Sequence, residues 1–263
     1  MKYGGQGHQP CQFGLPGAIF LLYRPTITKV FVLVRSKKDK SGDERITEVL
    51  QTELFNKVRE ENPKSLEKVI PINGDVAYDE LGLSKEDAAM LREDVSVVIH
   101  SAANVNFGAS LHDVLKINVG GTKNMLDWAK QLKYLKAFVH ISTAYSNSDR
   151  LDIAEKVYPN QISPHAALQL CSLLPTEILT SISPQLRRGN IMPYTFSKHL
   201  AEILVDESRF DIPVCIVRPA IVTAANKEPI PGWVDNLTGF NGMGSSRWLG
   251  PSQSTEWLLL TTG

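Results

Sequence analysis

The sequence holds a tyrosine and a lysine four residues apart, a pair of side chains that can transfer a proton. Tyr194 and Lys198 open a segment with an amphipathic pattern, which places both on one face of a predicted helix. A phenol, with a pKa near 10, donates a proton poorly at neutral pH unless a nearby cation stabilises the phenolate. The lysine supplies that cation and could also hold a ribose hydroxyl of a nicotinamide cofactor. The pair therefore suits a dehydrogenase or reductase, although so short a pattern also occurs on ordinary surface helices.

Composition excludes several other classes of protein. The 263 residues include 28 basic and 28 acidic side chains, so charge does not favour nucleic acid or an anionic membrane as a partner. Cys11, Cys171 and Cys215 are far apart and lack metal-ligand spacing, which predicts reduced thiols and no metal site. No stretch approaches the roughly 20 apolar residues that span a bilayer. We expect a protein of the cytosol or of the cytosolic side of an organelle.

Strand and helix patterns alternate along the chain from about residue 29. Apolar runs predict strands, and apolar residues four apart predict helices. The predicted strands are 29–35, 68–72, 95–100, 137–141 and 214–217, and the predicted helices cover 43–60, 109–132 and a segment that begins near Tyr194. This order predicts an α/β fold with a doubly wound parallel sheet.

The ends of these strands carry the candidate site. Ligands of doubly wound sheets bind at the carboxyl ends of the strands. Each strand-end residue taken alone could be a turn, packing or solvated loop residue, but together they predict a dinucleotide site. The strand ends are Arg35, 74–75, 100–103, 142–143 and 218–220.

Three further polar residues could serve the tyrosine. Ser142 and Thr143 follow a strand, where a hydroxyl could stabilise an oxyanion or simply cap a turn. Asn118 lies on the apolar stripe of the predicted helix 109–132, so its amide needs partners. A backbone carbonyl and a water relayed to Lys198 would satisfy it, as would an ordinary set of core partners.

The sequence resembles the extended short-chain dehydrogenase/reductases, and more closely the reductase domain of the alcohol-forming fatty acyl-CoA reductases of the male-sterility type, especially the insect branch. The resemblance covers roughly residues 25–240, and the long interval between Thr143 and Tyr194 also fits it. The segments that carry it are 32–35, 74–76, 100–107, 116–122, 139–145, 194–198, 216–222 and 228–236.

This resemblance implies a Rossmann-like fold and NADPH-dependent reduction of long-chain acyl-CoA to a fatty alcohol through a bound aldehyde. Tyr194, Lys198, Thr143, Ser142 and Asn118 are the implied catalytic residues, with Thr143 favoured over Ser142 as the oxyanion donor. It also implies association with the peroxisomal or endoplasmic reticulum membrane.

The resemblance assigns cofactor contacts as well. Arg35 would bind the 2′-phosphate of NADPH, although an exposed basic loop explains it equally well from sequence. Asp75 would receive the adenine amino group. The full expected cofactor set is Arg35, Asp75, Val76, Ser101, Ala102, Ala103, Lys198, Pro219, Ala220, Ile221 and Val222.

Both ends of the chain depart from the family pattern. The family opens with a strand and a glycine-rich turn, whereas here Phe20 stands where the third glycine should follow Gly14 and Gly17. We therefore expect a degenerate or missing first βα unit, with an atypical segment 1–24, an incomplete reductase domain 25–239 and an atypical, flexible tail 240–263. Two other functions stay open: a catalytically impaired fragment or regulatory homologue, and a reductase of another carbonyl, such as a steroid or sugar nucleotide.

Overall fold

One six-stranded sheet with helices on both faces forms the core. The computed structural model describes residues 15–35, 40–234 and 257–262, with the backbone alone for 15–18 and 257–262. The strands are β1 (Ile27–Val34), β2 (Val69–Asn73), β3 (Val97–His100), β4 (Ala137–Ile141), β5 (Val214–Val217) and β6 (Trp257–Thr262), in the order β2-β1-β6-β3-β4-β5.

The helices follow the predicted alternation. They are α1 (Leu15–Leu22), α2 (Gly42–Leu50), α3 (Asn56–Glu61), α4 (Lys85–Asp94), α5 (Leu111–Val114), α6 (Gly121–Ala129), α7 (Pro164–Leu173), α8 (Thr176–Arg187) and α9 (Pro193–Glu207), with a π-helical turn (Leu115–Gly120) between α5 and α6.

Strand β1 shows why the sheet is covered on both faces. Its residues 30–34 are fully buried, and alternate side chains enter different cores. Phe31 and Leu33 pack with residues of α4 to α9, whereas Val30 and Val32 pack with residues of α1 to α3. The predicted doubly wound sheet is confirmed, with β1–β2 and β3–β4–β5 parallel.

The centre of the sheet differs from the prediction. Strand β6 lies between β1 and β3 and runs antiparallel to both. The sequence predicted a flexible tail over 240–263, and the part of it that the structure describes, Trp257–Thr262, is this strand instead. The physical reason is that β1 and β3 are buried strands whose facing backbone groups need partners, which a strand of either direction supplies.

Of the first βα unit of the family pattern, the described residues include only the helix. Helix α1 has eight residues and leads into β1, with Ile19 and Leu22 buried and Phe20 58% exposed. Gly14 and the rest of 1–14 lie outside the described residues, as do 36–39 and 235–256. The slot next to β1 that a first strand would fill is taken by β6.

The predicted helix 43–60 is broken. Helix α2 ends at Leu50, and α3 begins at Asn56 after a short 3₁₀ turn. Thr52 Oγ1 donates to Val49 O at 2.7 Å, and the Arg59 guanidinium donates to Leu50 O and Thr52 O. These side-chain bonds to main-chain carbonyls replace the helical hydrogen bonds that the apolar stripe alone would predict.

Candidate active site

The pair Tyr194–Lys198 lies in the first turns of α9, beside the end of β4. Pro193 occupies the first helical position, where its missing N–H costs no hydrogen bond. Lys198 is 2% exposed, and its ammonium donates to Ile141 O at 2.7 Å. Tyr194 is half-buried, and its ring meets Phe107 edge-on with centroids 5.5 Å apart. The cation is therefore fixed at the carboxyl end of β4, one helical turn from the phenol.

The two hydroxyls after β4 have different partners. Ser142 Oγ donates to Glu202 Oε1 at 2.6 Å, so its proton is committed to a buried carboxylate. Thr143 Oγ1 accepts from Tyr145 N–H at 3.3 Å, a role that leaves its own proton available. The two hydroxyls therefore differ: the proton of Ser142 is held by Glu202, whereas Thr143 Oγ1 is an acceptor in its contact with Tyr145.

Asn118 sits in the π-helical turn and is 1% exposed. Such turns interrupt α-helices and often occur at functional sites. Its Oδ1 accepts from Asn104 N–H at 2.6 Å, and its Nδ2 donates to Asn104 O at 3.2 Å and to Ser197 Oγ at 2.8 Å. The predicted carbonyl partner is thus Asn104, while the hydroxyl of Ser197 takes the place of the predicted water. Asn118 joins the loop after β3 to the residue that precedes Lys198.

Two buried histidines flank this arrangement. His100 and His140 are register partners on β3 and β4, with ring centroids 5.3 Å apart. Burial, followed by the charge of Lys198, lowers the pKa of His100 to about 3 and that of His140 well below its ordinary value. Both rings are therefore neutral at physiological pH.

The tautomer of His100 follows from its neighbour. Thr122 Oγ1 donates to Asn118 O at 2.6 Å, so at the 2.9 Å contact His100 Nε2 is the donor and the hydroxyl the acceptor. Neither ring nitrogen of His140 has a hydrogen-bond partner within the described part of the chain. Neither histidine was predicted as a site residue. The signal for them was a histidine at or next to the end of each of two apolar strands.

Arg35 and Asp75 come together at the other half of the sheet edge. They follow the adjacent parallel strands β1 and β2, and Arg35 Nη1 lies 3.7 Å from Asp75 Oδ2. Both side chains stay partly open to solvent, at 36% and 21% exposure. Asp75 Oδ1 also accepts from Ala77 N–H at 2.9 Å. Of the lysines after Arg35, Lys37 and Lys38 lie outside the described residues, and Lys40 pairs with Glu48.

The other expected cofactor residues fall into two groups. Ser101, Ala102 and Ala103 are buried just before Asn104, and Val76 is also buried, packed against Gly121. The side chain of Val76 thus belongs to the core. The segment 219–222 is more open and lies beside Thr143, because Ala144 N donates to Pro219 O at 2.8 Å; its members are Pro219, Ala220, Ile221 and Val222.

The described residues fit the two ends of a dinucleotide better than its middle. Tyr194 and Lys198 suit the nicotinamide ribose, and Arg35 with Asp75 suits the adenosine. Within 15–35 and 40–234, however, no glycine-rich turn joins a strand to a helix to hold a pyrophosphate. Strand β6 begins at Trp257, which pairs with Leu33 of β1. The backbone of Trp257 therefore lies at the sheet edge between the pair Arg35–Asp75 and the pair Tyr194–Lys198.

Comparison with known proteins decides the family. The profile of the NAD-binding male sterility protein family matches residues 19–250. The chain belongs to this family. It is 38% identical over 219 residues to fatty acyl-CoA reductase 1 of Xenopus laevis and 37% identical over 219 residues to that of Homo sapiens. Each alignment covers 83% of this chain and 42% of the relative, so the chain spans less than half the length of these relatives.

Solved structures support the fold. The terminal R domain of the myxalamid PKS-NRPS pathway superimposes with a TM-score of 0.59 at 26% identity, covering 89% of this chain and 54% of that one. An archaeal thiolation-reductase di-domain superimposes with a TM-score of 0.54 at 24% identity, covering 82% and 52%. The predicted family and Rossmann-like reductase fold are confirmed.

No helix within the described ranges is both long and apolar enough to cross a membrane.

Proposed function

We propose that the chain carries the site of an NADPH-dependent reductase that converts long-chain fatty acyl-CoA to a fatty alcohol through a bound aldehyde. The observation that carries the proposal is the buried ammonium of Lys198. It is held 2.7 Å from Ile141 O, one turn from Tyr194 and beside the strand end that bears Thr143. The similarity to fatty acyl-CoA reductases supports the choice of substrate.

The residues divide the chemistry between them. When bound, a nicotinamide cofactor would supply a hydride, and Tyr194 and Lys198 would hold its ribose beside the substrate carbonyl. Thr143 donates a hydrogen bond to the carbonyl oxygen as it becomes negative, and Tyr194 gives this oxygen its proton. Lys198 stabilises the phenolate that remains. Asn118 bonds both Ser197 of α9 and Asn104 of the loop after β3, and so fixes the helix relative to that loop.

The same groups serve both reductions. When the hemithioacetal collapses, its C–S bond breaks, its hydroxyl proton passes to the departing CoA thiolate, and an aldehyde and a free thiol remain. After Tyr194 is reprotonated, the aldehyde carbon would accept a hydride from a second NADPH, and Tyr194 again gives the oxygen its proton, which yields the primary alcohol. Thr143 and Tyr194 meet the same developing oxyanion in both rounds, so a single site suffices.

The preference for NADPH rests on Arg35. Arg35 directly follows β1, and its side chain is 36% exposed. Its Nη1 lies 3.7 Å from Asp75 Oδ2, which is a loose ion pair. A ribose 2′-phosphate would offer the guanidinium shorter, charge-assisted hydrogen bonds. Arg35→Ala should weaken NADPH binding about tenfold or more and leave NADH binding nearly unchanged. The exposed Arg24 provides a matched control, because Arg24→Ala should change neither affinity.

A second function is favoured by one observation. The described residues lack a glycine-rich turn, and a loss of two or three charge-assisted hydrogen bonds would weaken cofactor binding about a thousandfold. The chain could then act as a regulatory homologue that keeps the fold without turnover.

Membrane association at peroxisomes or the endoplasmic reticulum rests on the family resemblance, and fractionation of cells that express the chain tests it.

One titration separates the two functions. NADPH and NADH are added to the purified protein while nicotinamide fluorescence is followed, and palmitoyl-CoA is then added while NADPH oxidation and free thiol are measured. Saturable NADPH binding with thiol release supports the reductase. Binding without turnover supports the regulatory homologue, and absence of binding contradicts the reductase.

A further inference from the structure

Glu202 is a fully buried carboxylate on the helix that carries the tyrosine and the lysine. It lies one turn after Lys198 and two turns after Tyr194. Its Oε1 accepts from Ser142 Oγ at 2.6 Å and from Arg218 Nε at 2.9 Å, and its Oε2 accepts from Arg218 Nη2 at 2.7 Å. A buried charge is tolerated when it is paired and hydrogen-bonded in good geometry, so three short bonds hold this carboxylate in one orientation.

Arg218 extends the contact to a distant loop. Its Nη1 donates to Ala154 O at 3.0 Å, and its Nη2 donates to Lys156 O at 2.8 Å. The ion pair therefore joins α9, the end of β5 and the loop that includes 154–156. Breaking it would free three segments at once.

The end of β4 is held from two sides. On the helix side, Lys198 binds Ile141 O and Glu202 binds the next residue, Ser142. On the strand side, Ser142 N donates to Val217 O and Ala144 N donates to Pro219 O, both at 2.8 Å. Thr143 lies between these anchored residues, so its position depends on them.

We propose that Glu202 is a positioning residue of this site. It holds the Ser142 hydroxyl away from the substrate and fixes the backbone of 142–144, so that Thr143 alone presents a hydroxyl to the reacting oxygen. Only the catalytic consequence rests on the proposed function, because the anchoring itself is a property of the contacts.

Glu202→Gln tests the anchoring without activity. The amide keeps the shape of the carboxylate but loses its charge. Its NH2 group replaces one of the two acceptor oxygens, so the three bonds from Ser142 and Arg218 cannot all form. Hydrogen exchange of the Ser142 and Ala144 amides should speed up about tenfold or more in this variant. Ser208→Ala is the matched control, since it removes a buried hydroxyl bonded to Leu204 O near the end of the same helix. It should leave both amides at the wild-type rate.

Turnover gives the second readout. Glu202→Gln should lower kcat about tenfold to hundredfold while the KM for NADPH stays within about twofold, as expected of misplacement rather than lost binding. Adding Ser142→Ala to Glu202→Gln should cost little more, because both changes act on the same contact between Ser142 and residue 202. A purely structural role would instead lower the melting temperature and leave the kcat of the folded fraction unchanged.

Three results would overturn the proposal. The first is wild-type exchange at both amides in Glu202→Gln. The second is additive losses of kcat in the double variant. If Glu202→Gln does not fold, Ser142→Ala leaves the ion pair intact and should still speed exchange at Ser142 and Ala144. The third is a Ser142→Ala variant with unchanged exchange but a loss of kcat as large as that of Thr143→Ala, because Ser142 would then be the donor.

Absence of wild-type turnover would contradict the proposed function, and the exchange comparison would still decide the role of Glu202.

Discussion

The Lys198 ammonium donates a hydrogen bond to the carbonyl oxygen of Ile141 at 2.7 Å. This bond fixes the buried cation of α9 to the last residue of β4, and the two candidate hydroxyls follow that residue directly. Strand and helix are thus joined at the point where the proposed chemistry takes place. The function of Lys198 is therefore testable apart from that of Tyr194.

Lys198→Met should remove the charge and keep most of the buried stem. Turnover should fall about a hundredfold or more, because the phenolate loses its stabilising cation. NADPH affinity should fall about tenfold to a hundredfold, since a charged hydrogen bond to the ribose contributes about 1.5–3 kcal/mol. Stopped-flow kinetics and fluorescence titration measure the two effects. Lys123→Met, on the exposed face of α6 beside Asp127, should change neither.

The hydroxyls of Thr143 and Ser142 should differ in their effect on turnover. Thr143→Ala should lower kcat about a hundredfold to a thousandfold, as does removal of one oxyanion donor elsewhere. Thr143→Ser restores a hydroxyl and should recover most of the activity. Ser142→Ala should cost about tenfold at most, because the bond lost is the one to Glu202. A reversed order of the two alanine variants would contradict the assignment.

The buried histidines should make the fold sensitive to acid. Their pKa values are lower in the folded chain than the ordinary value near 6.5, so the unfolded chain binds more protons as pH falls. Their stabilising effect is complete above pH 6.5 and is lost as pH falls towards 3. Between pH 6.5 and 5 the free energy of unfolding should drop by about 1.5 kcal/mol per histidine.

Urea unfolding at several pH values measures this dependence. His140→Phe keeps a buried ring and should remove about half of the drop. His165→Gln, at an exposed position beside Glu207, is the control for the replacement of a histidine as such. An unchanged drop in His140→Phe would contradict the assignment.

Adjacent glycines should respond differently to a methyl group. A Cβ at Gly121 would lie 2.8 Å from Val76 Cγ2, whereas at Gly120 the nearest atom is 3.6 Å away. Gly120→Ala should stabilise the fold by about 0.5–1 kcal/mol through helix propensity. Gly121→Ala should be about 1–3 kcal/mol less stable than Gly120→Ala, because Val76 must shift. Thermal unfolding of the two variants measures the difference in stability. Equal stabilities would contradict the close packing of Gly121 against Val76.

Local patterns predicted most of the parallel sheet and much of the site. The strands at 137–141 and 214–217 were predicted with their observed bounds, since each is a short apolar run before polar residues. Carboxyl-edge placement predicted that Arg35 and Asp75 meet at one edge of the sheet, and their side chains lie 3.7 Å apart there. These features depend on contacts that the β-α-β order determines.

Long-range contacts could not be predicted in the same way. Leu258 lies in the segment 240–263 that the sequence predicted to be a flexible tail, and its pairing with Ile99 joins distant parts of the chain. Glu202 was missed, although a carboxylate four residues after Lys198 on an apolar helix face was a usable signal. Its partners Ser142 and Arg218 come from two different strand ends, so only the assembled sheet shows why it is buried.

The most direct test of the central claim compares the wild-type chain with Tyr194→Phe. Fluorescence titration with NADPH is followed by measurement of NADPH oxidation and thiol release with palmitoyl-CoA. If Tyr194 is the proton donor, the wild type should release free thiol. Turnover by Tyr194→Phe should be lower by about a hundredfold or more, while its NADPH affinity stays within about threefold of the wild-type value. Turnover of Tyr194→Phe at the wild-type rate would contradict that role of Tyr194.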